Sequence, residues 1–446
     1  MKRFFFFLAV IAGVLFQSNS VLGQQLDRAH TLKIYNWSDY IDEDLLEEFE
    51  QWYEEHTGEP VKVIYQLFDI NEVMLAKIEK GHSDYDLTCP SDYIIERMLR
   101  NGLLLPINKD FGDTPNYIGN VSPFMVEKIG KIDAPGKNPN DYAVGYMWGT
   151  SGFLYNKAFV TEEDLSSWSA LWNPKFEGKI LMKDAPRDVY SPLLIYANYD
   201  KIQSGEVDIE QLMFDMSDES LATVEELINR SKPNIYGWEA DFGKEIMTQN
   251  KAWFNLTWSG DAEWAIREAE RVGVNLAYTI PEEGSNYWFD GWVIPKYAVN
   301  TKAASYFINY MCRSESAIRN MDVIGYVSAV ATPEVLEHMQ EQSIENGDTQ
   351  ERDMTYFFGE GAEKVILNKV MYPDKETFDR LALMHDSGDR TQALLEMWSR
   401  VKGDNLNPVI LGIIAAVVIL IAIIVISRKS KDKKRKSKNG KNTKKK

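Results

Sequence analysis

Apolar and polar positions along the first hundred residues spell strand, helix, strand, helix, strand. Leu32 to Asn36 reads as a short strand. Asp42 then stands as the N-cap of a helix whose apolar positions are Leu45, Leu46, Phe49, Trp52 and Tyr53. That spacing puts them on one buried helical face. Gly58 stops the helix, and Val61 to Phe68 resumes as a strand. Asn71 is placed to cap a second helix running to Lys80, which Gly81 ends. Tyr85 to Cys89 is a third strand, broken by Pro90. This alternation predicts a parallel sheet in an α/β domain. Further along, Ile180 to Met182 and Ala252 to Thr257 read as strands, and Glu219 to Asn229 and Asp261 to Arg271 as helices. The stretch Tyr372 to Val401 ends in a helix packed by Leu394, Leu395 and Trp398.

The two ends depart from this pattern. Lys2 and Arg3 precede an apolar run from Phe4 to Phe16, and small residues follow near Gly23. That order predicts a secretory signal peptide over 1–23. Val409 to Ile426 carries no charge, and 18 residues reach about 27 Å as a helix, close to the ~30 Å hydrocarbon core. The pattern predicts one C-terminal transmembrane helix over 409–426, reached by a short tether at 402–407. Residues 428–446 hold twelve Lys/Arg against Asp432, which predicts a basic cytoplasmic tail.

Charge sharpens the picture. The chain of 446 residues carries a net charge of −18. Setting aside +11 for the tail and +2 for the leader leaves −31 on the exported part. That balance argues against a nucleic-acid binder, which needs a basic face, and attracts cations at range. Two cysteines, Cys89 and Cys312, exclude a disulfide scaffold, and five scattered histidines argue against a metallohydrolase. Whether the two cysteines pair stays open. No GxSxG, P-loop or GxGxxG is present, so neither an enzyme nor a cofactor or metal is expected.

Open parallel sheets bind ligands in loops beyond the carboxyl ends of their strands. Here those loops read Trp37-Ser38-Asp39-Tyr40, Ser91-Asp92-Tyr93, Trp258-Ser259-Gly260-Asp261 and Tyr287-Trp288-Phe289-Asp290. Each joins an aromatic ring to a carboxylate. Carboxylates and hydroxyls satisfy ammonium donors, and indole or phenol faces cover a methylene stem and attract cationic nitrogen. The mixture suits an elongated organic cation. Tryptophans also line sugar sites, and paired carboxylates also cleave glycosides, so an extracellular carbohydrate-active protein stays open on these residues. So does a membrane receptor that senses the cation.

The strings Tyr35-Asn-Trp-Ser-Asp-Tyr40, Tyr146-Met-Trp-Gly149, Asp184-Ala-Pro-Arg-Asp188, Trp258-Ser-Gly-Asp261, Trp288-Phe-Asp290 and Gly325-Tyr326 run in one order across residues 32–400. In that order they resemble the bacterial spermidine/putrescine-binding proteins of polyamine ABC transporters. The resemblance implies a two-lobed type II periplasmic-binding fold, with lobe 1 over 30–140 and 290–330 and lobe 2 over 145–285 and 335–400. It implies a polyamine in the cleft and delivery to permease subunits driven by an ATPase. Trp37, Trp258 and Trp288 would wall the alkyl chain, and Tyr40, Tyr93 and Tyr326 would add phenols. Ser38 and Ser91 would accept from ammonium groups. Asp290 falls at the main carboxylate position and Asp188 at one end of the ligand. Asp39 and Asp261 match the putrescine-preferring branch. Arg187 is placed to neutralise Asp188, and Asp92 is expected as a solvated turn residue.

Overall fold

The computed structural model describes residues 27–240 and 242–403. The expected leader at 1–23, span at 409–426 and tail at 428–446 lie outside them.

The first third builds the parallel unit its pattern spelled. Strand β1 (Thr31–Trp37) pairs in parallel with β2 (Lys62–Phe68) over all seven positions, and with β3 (Leu87–Thr88) on its other side. Helices α1 (Asp44–Thr57), α2 (Asn71–Glu79) and α3 (Asp92–Arg100) alternate with them. Leu45, Phe49 and Tyr53 form the buried stripe of α1, four residues apart as a helical face requires. Gly58 closes that helix at φ 70, its N–H donating to the Glu54 carbonyl. A residue with a Cβ is disfavoured in this left-handed position. Phe49 meets Phe307 and Tyr310 of the helix Thr301–Met311 at centroid distances of 5.0 and 5.5 Å.

The second unit holds a parallel trio of its own. Strand β6 (Ile180–Lys183) lies between β7 (Ile235–Glu239) and β8 (Phe254–Trp258). Helix α4 (Pro186–Ala197) follows β6, and α5 (Ser259–Arg271) follows β8.

Two long buried strands join the units. Strand β5 (Ala143–Asn156) pairs antiparallel with β10 (Ser285–Pro295) through Thr150. From Ser151 onward it pairs with β8, and from Phe153 also with β9 (Leu276–Thr279). At its other end β10 reaches β3 through Val293 and Thr88, and the short β4 (Leu104–Leu105) through Ile294 and Pro295. The sheet therefore runs β2-β1-β3-β10-β5-β8-β6-β7 without a break. Gly152 of β5 has no room for a side chain, since a Cβ there would lie 2.6 Å from the Tyr278 hydroxyl and 2.7 Å from the Thr279 carbonyl.

The two-lobed α/β expectation stands, with three corrections. The described fold contains no transmembrane helix. Among the described residues no helix is long and apolar enough to cross a membrane; the longest have 14 residues, about 21 Å against the ~30 Å required. Nor does the tether begin at 402: Lys402 and Gly403 are the last residues of the helix Thr391–Gly403, and the Lys402 ammonium bonds Asp184. Finally, the segment 335–400 does not belong to one lobe. Val335, Met339, Phe357, Tyr372 and Phe378 join the first-lobe core, whereas Leu394, Met397, Trp398 and Val401 join that of the second. Leu395 faces outward at 38% exposure, and Met397 packs in its place. Cys89 and Cys312 are both buried and free, and burial pushes both thiols up.

Phe49→Ala should destabilise the fold by about 3–5 kcal/mol, as expected for emptying an aromatic core site. Denaturant unfolding checks this. A loss below 1 kcal/mol would mean that the contact between α1 and the helix Thr301–Met311 is not part of the cooperative core.

Candidate ligand-binding site

Three buried carboxylates gather where the two units meet. Asp290 lies on β10, at a register shift between Asp290 and Gly291. Its Oδ1 accepts from the Ser91 hydroxyl at 2.6 Å and its Oδ2 from the Tyr40 hydroxyl at 2.7 Å. Ser91 follows β3 and Tyr40 follows β1, so the loops beyond two parallel strands converge on one side chain. Asp188, in the first turn of α4, accepts from Asn286 Nδ2 at 3.2 Å and from the Ser151 hydroxyl at 3.4 Å, and the Trp258 indole nearby lowers its pKa. Asp92, the first residue of α3, accepts from its neighbour's backbone N–H at 2.6 Å and from that of Phe289 at 3.3 Å.

Burial in a dry site raises a carboxyl pKa, and like charges raise it further. Burial is the main cause for all three groups. The Ser91 and Tyr40 hydrogen bonds pull Asp290 back and the Asp188 charge pushes it up, leaving it at about 7. Asp92 is held well above the carboxylate range, with Asp290 and Asp188 adding to the effect. Among the described residues, none of the three forms an ion pair with a lysine, arginine or histidine. Burial, with the Asp290 charge second, keeps the Tyr40 phenol protonated as a donor.

Aromatic rings run from this acid group to a second charged cluster. Tyr40 and Tyr326 meet edge to face at 5.6 Å, Trp288 and Tyr326 lie 5.4 Å apart, and Trp258 meets Trp288 at 6.4 Å. The Tyr326 hydroxyl donates to Asp261 Oδ1 at 3.2 Å. Asp261 Oδ2 accepts from the Lys183 ammonium at 2.8 Å. The N-terminus of α5 is tight enough that a Cβ on Gly260 would sit 2.5 Å from three Tyr326 ring atoms.

The structure brings Tyr40, Ser91, Asp188, Trp258, Asp261, Trp288, Asp290 and Tyr326 into one chain of contacts. Tyr93 joins it through Asn71, whose Nδ2 donates at 3.0 Å to both the Ser91 and Tyr93 hydroxyls. Asn71 thus bridges loops, and its side chain does not cap α2 as expected. Trp37 is half-buried, its indole held by the Cys89 carbonyl at 2.9 Å. Ser38 and Asp39 are exposed at the rim. Ser38 donates to Asp69 at 3.0 Å, and Asp39 has φ 50.

Two expectations are corrected. Asp92 is buried, because the Tyr93 N–H at the start of α3 and the Phe289 N–H of β10 supply backbone donors to its carboxylate. Arg187 does not neutralise Asp188. Its guanidinium donates to the His385 carbonyl at 3.0 Å and the Ser387 hydroxyl at 2.7 Å, and lies 4.1 Å over the Tyr93 ring. Lys183, Asn71, Asn286 and Ser151 were not anticipated. Lys183 did leave a signal: it directly follows an apolar strand, at the end where ligand loops lie.

The Asp290 carboxyl titrates near 7 in the fold against about 3.9 when unfolded. Between those values the unfolded chain binds fewer protons, so this group's contribution is complete below pH 4 and lost as pH rises through 7. Asp290→Asn should therefore stabilise the ligand-free protein at pH 8, by at most about 4 kcal/mol, and stabilise it much less at pH 4.5. Thermal unfolding at both pH values checks this. Equal shifts would mean Asp290 is solvated.

The geometry agrees with what the chain is similar to. The family model described as bacterial extracellular solute-binding protein matches residues 44–345. The putrescine-binding periplasmic protein PotF of Escherichia coli (strain K12) is 30% identical over 346 residues, spanning 74% of this chain and 86% of that protein. The spermidine/putrescine-binding periplasmic protein of Salmonella typhimurium is 28% identical over 375 residues, spanning 83% and 91%. Among solved structures, the spermidine/putrescine ABC transporter substrate-binding protein PotD from Streptococcus pneumoniae superposes with a TM-score of 0.61 at 30% identity, covering 84% of this chain and 98% of that one. The resemblance read from the motifs holds, and the chain belongs to the bacterial extracellular solute-binding proteins.

Proposed function

We propose that this chain is the exported, substrate-binding component of an ABC importer, and that its substrate is a polyamine, putrescine or spermidine. One observation carries the reading: among the described residues, Asp290, Asp188 and Asp92 are buried together without a basic ion-pair partner, beside a run of indole and phenol rings. Buried carboxylates of this kind are costly alone, and an alkylammonium supplies what they lack. The names of the relatives point to the same ligands.

In this reading the ammonium ends go to Asp290 and Asp188, with Ser91 and Tyr40 holding the first carboxylate in place. Trp258, Trp288 and Tyr326 cover the methylenes. Trp37, Ser38 and Asp39 complete the rim, Tyr93 backs Ser91 through Asn71, and Asp261 marks the far end. The two lobes close about the crossing of β5 and β10, a hinge movement that excludes water. The closed form docks on permease subunits, which an ATPase drives. The chain captures and delivers, with no bond made or broken in the ligand.

Titration calorimetry with putrescine, cadaverine, spermidine and spermine tests this. One-to-one binding near micromolar, about −8 kcal/mol, that persists in moderate salt is the expected result. Binding that vanishes with salt would reduce the effect to surface charge and reject the reading. The site adds a pH signature. Alkylammonium groups stay protonated below about pH 10, whereas Asp290 must lose its proton to pair. Affinity should rise as pH increases from 6 to 8, with proton release at pH 6 seen as a buffer-dependent heat. A flat profile would remove Asp290 from the ligand.

A further inference from the structure

Lys183 ends β6 with its side chain fully buried. Its ammonium lies 2.8 Å from Asp261 Oδ2, 3.4 Å from Glu239 Oε1 and 3.8 Å over the centre of the Trp258 ring. Carboxylate on one side and indole face on the other is the environment proposed above for a ligand ammonium. A lysine side chain is four methylenes ending in an ammonium, the same chemistry as one end of putrescine. The protein therefore carries a tethered alkylammonium in its own cleft.

We propose that Lys183 permanently occupies the cation subsite formed by Trp258 and Asp261, and so sets the length of amine the cleft accepts. The inference rests on the polyamine reading. Asp261 is answered by a direct ion pair from within, whereas Asp290 has none among the described residues and Asp188 feels the Lys183 charge only from beyond ion-pair distance. Glu239 explains why the lysine stays. It is buried at 1% exposure and also accepts from Asn255 at 3.0 Å and from the Gly243 backbone at 3.0 Å. These bonds fix its carboxylate beside the ammonium. A diamine is held at the Asp290 and Asp188 end. The extra aminopropyl arm of a triamine, extended along the aromatic run toward Asp261, meets a like charge in a site that excludes water, where such repulsion is strong.

The test is calorimetry with putrescine and spermidine on the full protein, unchanged and as Lys183→Met. Methionine fills similar volume without the charge. The unchanged protein should prefer putrescine by about tenfold or more. Lys183→Met should tighten spermidine at least tenfold while moving putrescine less than threefold. Because the single change leaves Asp261 and Glu239 facing each other, the pair Lys183→Met with Glu239→Gln is measured alongside it. This pair keeps one carboxylate for the incoming amine, and its thermal unfolding checks the fold. An unchanged spermidine-to-putrescine ratio in a folded variant would overturn the inference and leave the polyamine reading intact. Failure of the unchanged protein to bind either amine would overturn both.

Discussion

The Asp290 carboxylate is buried in a strand and held by two hydroxyls. Removing a carboxylate from water is costly, and neutral hydrogen bonds return only part of that. Ser91 and Tyr40 reach it at 2.6 and 2.7 Å, which orients the charge without cancelling it. Much of the surrounding architecture is needed to keep that arrangement. β10 must be buried along its length, as it is. The loops after β1 and β3 must end at the same height, which their parallel pairing with a common register ensures. Tyr146 of β5 secures the first of those loops, its hydroxyl donating to the Tyr40 carbonyl at 2.9 Å.

The shared sheet links this local chemistry to both lobes. Asp290 and Trp288 stand on β10, while Asp188, Trp258 and Asp261 come from β6, β8 and the helices after them. Relative motion of the lobes must change distances within the site, because β5 and β10 are the strands that cross between them. Two glycines set how tightly the parts approach. A Cβ on Gly149 would lie 2.9 Å from both Ser259 Oγ and Trp288 Cζ2, and one on Gly260 would enter the Tyr326 ring. Such spacing leaves no slack for the aromatic run to collapse around an absent side chain, so the rings keep defined positions.

The βαβαβ beginning was legible because each of its helices has one wet face and a marked stop. The crossing strands were not. Ala143–Asn156 is buried at every position, so it lacks the alternation that reveals a half-exposed strand. The segment 335–378 packs into the first core, and beyond the helix Pro333–Glu345 its elements are only two to four residues long, too short to show a period. In the site, strings joining a ring to a carboxylate pointed to Asp290, Trp258, Trp288 and Tyr40, but Tyr287-Trp288-Phe289-Asp290 is not the loop it was expected to be: it lies within β10. What they could not give was pairing. Arg187 adjoins Asp188 in sequence, but helical geometry sends the two side chains in different directions. Asp92 looked solvated because an acid after Pro-Ser usually is. A helix N-terminus packed against β10 reverses that, with one backbone donor from the helix and one from the strand.

Long-range and short-range charge do different work here. The net −18 of the chain acts on encounter, drawing cations at a rate that salt reduces, because a field in water fades over about 8 Å at physiological ionic strength. It cannot distinguish one polyamine from another. The buried carboxylates are shielded from salt, so they decide which cation stays and how its charges must be spaced. Specificity therefore depends on how many acids in the cleft remain unanswered, not on how many it contains. Lys183 changes that number by one without altering the outward appearance of the molecule. A single charged residue at the end of an apolar strand thus does what no change in surface charge could: it determines where along the aromatic run a bound amine must stop.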